Sequence, residues 1–215
     1  EIKNDIFEIL AGNIFPPIDR PITVFEIGAC DGTHTDMLAK LLDYLHKDFT
    51  IHAFEPVQWL FPNFHGATKK WKNKIIFNQI AVGDINGKTD LWESYAMGGS
   101  ETFYGSSSIR EPFMVLENFP MIRFNKKTTN IITLDKYCEN MGIDHIDFIW
   151  CDVQGAEDKV ILGGEKMFRK VDWFYTEYCN GPLYKDEPTL KQILKLLPDF
   201  ELVKDYGGDA LLQRK

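Results

Sequence analysis

Apolar runs of four to eight residues alternate with amphipathic stretches along this chain, the pattern of parallel strands joined by helices. Residues 22–27 and 50–55 read as the first two strands, with a helix over 33–47 between them. Met37, Leu38, Leu41, Leu42 and Leu45 recur there at helical spacing and mark a core-facing stripe. The pattern then predicts a helix over 58–71 interrupted early by Pro62, a third strand over 74–82, a tight turn at Asn86-Gly87 and an extra strand over 88–95. Residues 96–128 break the rhythm with Gly98-Gly99, Gly105 and a serine run. So long an aperiodic segment in a compact domain is mobile or functional, and it reads as an insertion over a pocket mouth. Regularity returns with residues 130–133, a helix over 134–141, a fourth strand over 146–153, a helix over 156–168, a fifth strand over 173–178 and a helix over 188–197. Two short apolar runs, 200–204 and 210–213, flank Gly207-Gly208 and predict a closing β-hairpin. The expectation is a single α/β domain over 1–215. Its Rossmann-like, mostly parallel seven-stranded sheet has helices on both faces and ends in one antiparallel hairpin strand.

Composition narrows the function. With 44% hydrophobic residues and 16 Phe the chain can build a core without disulfides. Its 24 basic and 32 acidic side chains give a net charge of -8, which argues against nucleic acid and anionic membrane surfaces as partners. The local run Lys69-Lys70-Trp71-Lys72 reads as a solvated helix end. Cys30, Cys138, Cys151 and Cys179 have neither C-x-x-C spacing nor a histidine cluster, so reduced thiols are expected rather than zinc or disulfides. No basic-then-apolar leader opens the sequence and no apolar run is long enough to span a membrane. The reduced thiols make a cytoplasmic setting the expectation. Nothing in the pattern specifies an oligomeric state.

The chemistry is concentrated at strand ends. The first strand runs into Glu26-Ile27-Gly28-Ala29-Cys30-Asp31-Gly32, and the second ends in Phe54-Glu55-Pro56. Glycines permit tight turning and close backbone approach, and an acid at the tip of the next strand can accept hydrogen bonds from ribose hydroxyls. A dinucleotide fingerprint would place a glycine where Cys30 stands, which counts against a dinucleotide. Glu26 points instead to a cofactor with a cationic group, such as the amino-acid portion of S-adenosylmethionine.

Over residues 22–180 the chain resembles the FkbM family of S-adenosylmethionine-dependent methyltransferases. The resemblance rests on the Glu26–Gly32 block, Phe54-Glu55-Pro56, Thr133-Leu134-Asp135 ahead of a helix, and Ile146 to Glu157 continuing to Leu162-Gly163-Gly164. It implies a class I methyltransferase fold and methyl transfer to oxygen, commonly on a sugar or polyketide-like hydroxyl. It also implies that Gly28, Ala29, Cys30, Asp31 and Gly32 line the methionine portion, that Glu55 and Pro56 lie at the ribose, that Ala81 and Val82 lie against adenine, and that Asp152 faces the reaction centre. The chain departs from the family at Gln154, where a glutamate is usual, and at Glu26, where aspartate is frequent.

Asp152 and His34 are the candidate general bases, since a hydroxyl acceptor must lose a proton. Ser106, Ser107 and Ser108 and the polar-aromatic group Glu177, Tyr178 and Asn180 are candidates for the acceptor, a small molecule or glycan. Helix capping, cofactor contact or edge packing would account for the same residues without catalysis. Glu157 suits a helix N-terminus, and His52 and His145 read as structural. Asp31, Asp152 and Glu177 could converge on a hard cation, but no dedicated motif is present and no obligatory metal is expected. Two alternatives remain open at this stage: an aminopropyl or other alkyl transferase using a related adenosyl donor, and a non-catalytic cofactor-binding domain.

Overall fold

The computed structural model describes Gly12, residues 20–96 and residues 105–215. Strand β1 (Ile22–Ile27) leads through a glycine turn into helix α1 (Thr33–Tyr44), then β2 (Phe49–Phe54). Leu38, Ala39 and Leu42 of α1 are fully buried against the sheet, which is the stripe read from the sequence. Helix α2 (Phe61–Ala67) lies between single 3-10 turns over 58–60 and 69–71. Pro62 stands in its first turn, where a missing N–H costs nothing, so it starts the helix rather than interrupting it.

The single strand expected over 74–82 is two strands in two sheets. β3 (Ile75–Asn78) ends where the Asn78 amide folds back on the carbonyls of Ala53 and Ile76. A tight turn from Ile80 N–H to Asn78 O then redirects the chain into β4 (Ala81–Val82). β5 (Gly87–Ala96) follows. It does not pair back on β4, because β6 (Ile122–Ile132) lies between them, parallel to β4 and antiparallel to β5.

β6 also corrects the expected insertion over 96–128. Residues 97–104 lie outside the described residues, but 105–109 form a strap, Val115–Asn118 is a short helix, α3, and 122–128 are strand. The middle of β6 is exposed and reads Phe-Asn-Lys-Lys-Thr-Thr-Asn, without apolar alternation, so hydrophobic periodicity gives no sign of it.

Helix α4 (Leu134–Met141) is capped by the Thr133 hydroxyl, which accepts from Lys136 N–H, and leads to β7 (Ile146–Cys151). Helix α5 (Glu157–Leu162) is shorter than the expected 156–168. It stops at Gly163, where a Cβ would stand 1.9 Å from the carbonyl oxygen of Gly83, so the close approach of this corner to β4 requires glycine. Strand β8 (Val171–Glu177), helix α6 (Leu190–Leu196) with a Thr189/Gln192 capping box, and the hairpin β9 (Phe200–Asp205) and β10 (Asp209–Arg214) complete the chain.

The main sheet has the order β3-β2-β1-β7-β8-β10-β9. All of its pairings are parallel except those of β10, which runs antiparallel to both β8 and β9. All six residues of β7 are buried. Apolar clusters cover both faces, one around Phe25, Ile149, Val160 and Phe174, the other around Val24, Leu38, Phe148 and Leu211. The order of strands reverses between β1 and β7, and open α/β sheets bind ligands outside the carboxyl ends of strands at such a switch point.

Candidate active site

The cavity lies at that switch point. It has a volume of about 220 Å³ and is walled by the turn after β1, the tips of β2 and β7, the β3–β4 corner and the strap. Its floor is the turn Gly28 to Asp31. Gly28 and Ala29 both donate their N–H to Phe54 O, at 3.0 and 2.9 Å, so the turn folds across the end of β2. Cys30 takes a left-handed backbone conformation, φ 49°, and donates its N–H to Glu55 Oε2 at 2.9 Å, while Val57 N–H donates to Glu55 Oε1 at 2.7 Å. One carboxylate thus ties two strand tips together while bordering the cavity.

Opposite the glycine turn the wall is apolar. Ile80, Ala81 and Val82 come from the β3–β4 corner, Leu91 from β5 and Ile109 from the strap. Leu91 packs with Val57 and Leu60, and Cys30 and Ile109 cover the cluster. The strap is fixed at Ser108. Its backbone pairs with Trp92 at 2.8 and 3.0 Å, and its hydroxyl donates to Gln154 O at 2.7 Å. Further along, Arg110 Nη2 reaches both carboxylate oxygens of Asp158 of α5, at 2.6 and 2.5 Å, and Nη1 donates to Lys185 O at 3.0 Å.

The third side is acidic. Asp152 and Gln154, just beyond β7, both border the cavity. Behind them Glu177 is held above the ordinary carboxylate range by burial and by the neighbouring Asp152 and Glu157. Glu157 is pushed up to about 8, chiefly by burial, although Val153 N–H donates to its Oε1 at 3.1 Å. Burial likewise raises Glu55 to about 7 and Glu26 to about 8. Glu26 accepts from the Thr35 hydroxyl through Oε2, and its Oε1 is buried without a hydrogen-bond partner. Of these four carboxyl groups, Glu55 is the one that borders the cavity. His34 borders the same space, with its ring 5.1 Å from that of Trp150. Desolvation lowers its pKa below 6.5, against the pull of Asp152 and Asp31, and keeps it neutral at neutral pH.

Of the residues singled out in the sequence, Gly28, Ala29, Cys30, Asp31, His34, Glu55, Pro56, Ala81, Val82, Ser107, Ser108 and Asp152 are brought together around this cavity. The others are placed elsewhere. Glu26 sits inside the sheet, between Ala53 and Trp150 on its neighbouring strands, and contacts α1. Gly32 caps α1 and faces Phe64. Ser106 turns away and offers its carbonyl to the Tyr184 hydroxyl at 2.7 Å. Glu177 lies one layer behind Asp152. Tyr178 donates to Asp205 Oδ1 at 2.6 Å and pins the C-terminal hairpin, and Asn180 lies on the loop beyond it, away from the cavity lining.

Ile80, Leu91, Ile109 and Gln154 are lining residues that the sequence reading did not select. The first three follow from the second sheet and the strap, which periodicity does not reveal. Gln154 is marked in the sequence as the departure from the family's usual glutamate within the Asp152–Glu157 block.

Among the described residues, one group could hold a metal ion, His145, Asp147 and Asp172. It lies at the opposite end of the sheet, and its charges are already met: Arg20 pairs with Asp147 at 2.6 Å and Arg214 with Asp172 at 2.8 Å. His52, expected to be structural, is buried beside Tyr137 at 2.8 Å, and desolvation lowers it to about 4. The four cysteines are unpaired, and no described helix is long and apolar enough to cross a membrane.

A sheet of this order, reversed at its centre and closed by one antiparallel strand beside a cavity at its carboxyl edge, is the class I methyltransferase fold. Residues 26–207 match the methyltransferase FkbM domain, and the chain belongs to that family. It is 39% identical over 140 residues to the 2-O-methyltransferase NoeI of Sinorhizobium fredii (strain NBRC 101917 / NGR234), an alignment that takes in 63% of this chain and 58% of that protein. The match therefore spans less than two thirds of the curated relative's length. Among solved structures, the methyltransferase FkbM from Methylobacillus flagellatus KT superposes with a TM-score of 0.53 at 13% identity, covering 90% of this chain and 43% of that one. The METTL16 MTase domain gives a TM-score of 0.51 at 10% identity, covering 98% and 65%. These two likenesses concern the fold.

Proposed function

We propose that this chain is an S-adenosylmethionine-dependent O-methyltransferase that methylates a hydroxyl of a sugar-containing or other small acceptor. The observation that carries the reading is the cavity itself: a glycine turn, a ribose-type carboxylate at Glu55 and the Asp152 carboxylate border one space in a chain of a methyltransferase family. The residues present fit the donor. Its amino-acid end would be held by the Gly28–Asp31 turn, its ribose by Glu55 and its base by the apolar wall of Ile80, Ala81, Val82 and Leu91. When bound, the donor supplies an electrophilic methyl group on a cationic sulfur.

The protein's own part is orientation, screening from water and proton removal. Orientation of two reactants can contribute roughly 7 to 11 kcal/mol. Asp152 presents its carboxylate to the cationic end of the donor. His34, bordering the same space with its basicity lowered by burial, would take the hydroxyl proton of the acceptor as the oxygen is methylated. A 2-O-methyltransferase among the relatives favours an oxygen acceptor over an aminopropyl or alkyl transfer. The unpaired thiols suit a reducing, cytoplasmic setting.

The test is incubation with S-adenosylmethionine and a panel of mono- and oligosaccharides, glycolipids and polyketide alcohols, read by mass spectrometry. The expected result is an O-methylated product in step with S-adenosylhomocysteine. Methylation of nitrogen or carbon acceptors alone would contradict the oxygen assignment.

A further inference from the structure

Gln154 stands where three structural facts meet. Its side-chain amide nitrogen donates one hydrogen to Asp152 Oδ1 at 2.7 Å and the other to Glu177 Oε2 at 2.8 Å, joining the tips of β7 and β8. Its backbone is left-handed, φ 55°, a conformation uncommon for any residue but glycine. That backbone is pinned on every side: Ser108 donates to the Gln154 carbonyl at 2.7 Å, and the N–H groups of Val153 and Gly155 both donate to Glu157 Oε1, at 3.1 and 3.4 Å.

Local strain held in place by this many partners, at a residue bordering the cavity, marks a position whose geometry matters beyond folding. Both amide hydrogens are committed to carboxylates, so the side chain can neither rotate nor be replaced by an isosteric acid without losing two donors. A glutamate at 154 would set a third carboxylate against Asp152 and Glu177. The neutral amide instead lets two acids stand side by side, in contact with each other, and fixes Asp152 Oδ1.

We propose that Gln154 is a positioning residue: by bridging Asp152 to Glu177 it holds the Asp152 carboxylate toward the cationic sulfur of the methyl donor. The inference rests on the methyl-donor reading given above. It predicts that Gln154 matters for a donor that carries positive charge at sulfur and little for the neutral product that does not.

Calorimetric titration with S-adenosylmethionine and, separately, S-adenosylhomocysteine reads this without an acceptor. In Gln154→Met, which keeps length but donates nothing, affinity for S-adenosylmethionine should fall about fivefold or more while that for S-adenosylhomocysteine stays within about twofold. In an Asp152→Asn background the same substitution should leave the ratio of the two affinities unchanged, because the residue through which it acts has lost its charge. Retained S-adenosylhomocysteine binding also reports that the variant is folded. Should Gln154→Met not fold, Gln154→Asn, one methylene too short to span both carboxylates, should give the same selective loss. Equal weakening of both ligands, no weakening, or a full effect in the Asp152→Asn background would each overturn the proposal. Absence of binding of either ligand to the unaltered chain would instead overturn the methyl-donor reading.

Discussion

Gly28 lies directly against the main chain of Asp152: a Cβ built on Gly28 would stand 1.8 Å from the Asp152 carbonyl oxygen. The contact joins the turn after β1 to the tip of β7, the two segments that face each other across the switch point, and Gly28 also has φ 93°. Gly28→Ala therefore meets a backbone clash and an unfavourable dihedral together. A loss of at least about 3 kcal/mol in unfolding free energy is expected by urea denaturation. A loss below about 1 kcal/mol would mean that the two segments are not rigidly apposed.

Glu55 ties Cys30 and Val57 through its two oxygens while bordering the cavity. Glu55→Gln keeps size but must turn an NH₂ group toward one of those backbone donors. Affinity for S-adenosylmethionine is expected to fall about tenfold or more, the equivalent of one charge-assisted hydrogen bond. Calorimetry at a fixed pH measures it, and an unchanged affinity would remove Glu55 from the donor site.

Buried acids set the pH dependence. Glu26 and Glu157 are raised to about 8 and Glu55 to about 7, from a usual value near 4.5, and burial is the largest cause in each case. The folded chain therefore keeps protons that the unfolded chain releases. The contribution is fully present below about pH 4.5 and is lost as pH rises through 7 to 8. Asp48 and Glu139 are lowered by their lysine partners, but both are exposed and weigh little. Between about pH 6.5 and pH 9, above the range in which His34 and His52 charge, the ligand-free chain should lose thermal stability, and S-adenosylmethionine should restore more of it than S-adenosylhomocysteine. A melting temperature that rises over that interval would contradict the burial of these protons.

His34 combines a place at the cavity with a lowered pKa. His34→Gln should reduce turnover of the acceptor by about 10² to 10⁴-fold while leaving donor affinity within about twofold. In the unaltered chain, turnover should fall with acid only below the ordinary histidine range, since neutral imidazole is the active form. Unimpaired turnover in His34→Gln would move the base role to Asp152.

Much of this architecture was legible in the sequence because it depends on short-range patterns. The alternation of apolar strands with the Leu38/Leu42 stripe gave the parallel core, and Gly207-Gly208 gave the antiparallel end. The glycine turn, Glu55 and Asp152 could be placed at strand tips from order alone, because a parallel sheet gathers its carboxyl ends on one edge. What escaped detection depends on long-range pairing. β6 is polar through its middle and exists because β5 offers it a partner over ten residue pairs. The corner at Asn78 is made by a side chain bonding back to β2. Glu26 is not among the residues lining the cavity: its carboxyl is buried against Thr35 of α1, a contact that motif spacing does not reveal. Tyr178, which reads as part of a polar-aromatic pocket, is committed to Asp205 on the hairpin.

Everything proposed here depends on the space between Gly28, Glu55 and Asp152 receiving a sulfonium nucleoside. Titration of the chain with S-adenosylmethionine in a calorimeter tests it most directly. Saturable one-to-one binding at micromolar concentrations, weakened by Glu55→Gln, is expected. No heat of binding at millimolar S-adenosylmethionine, in protein shown to be folded, would contradict it.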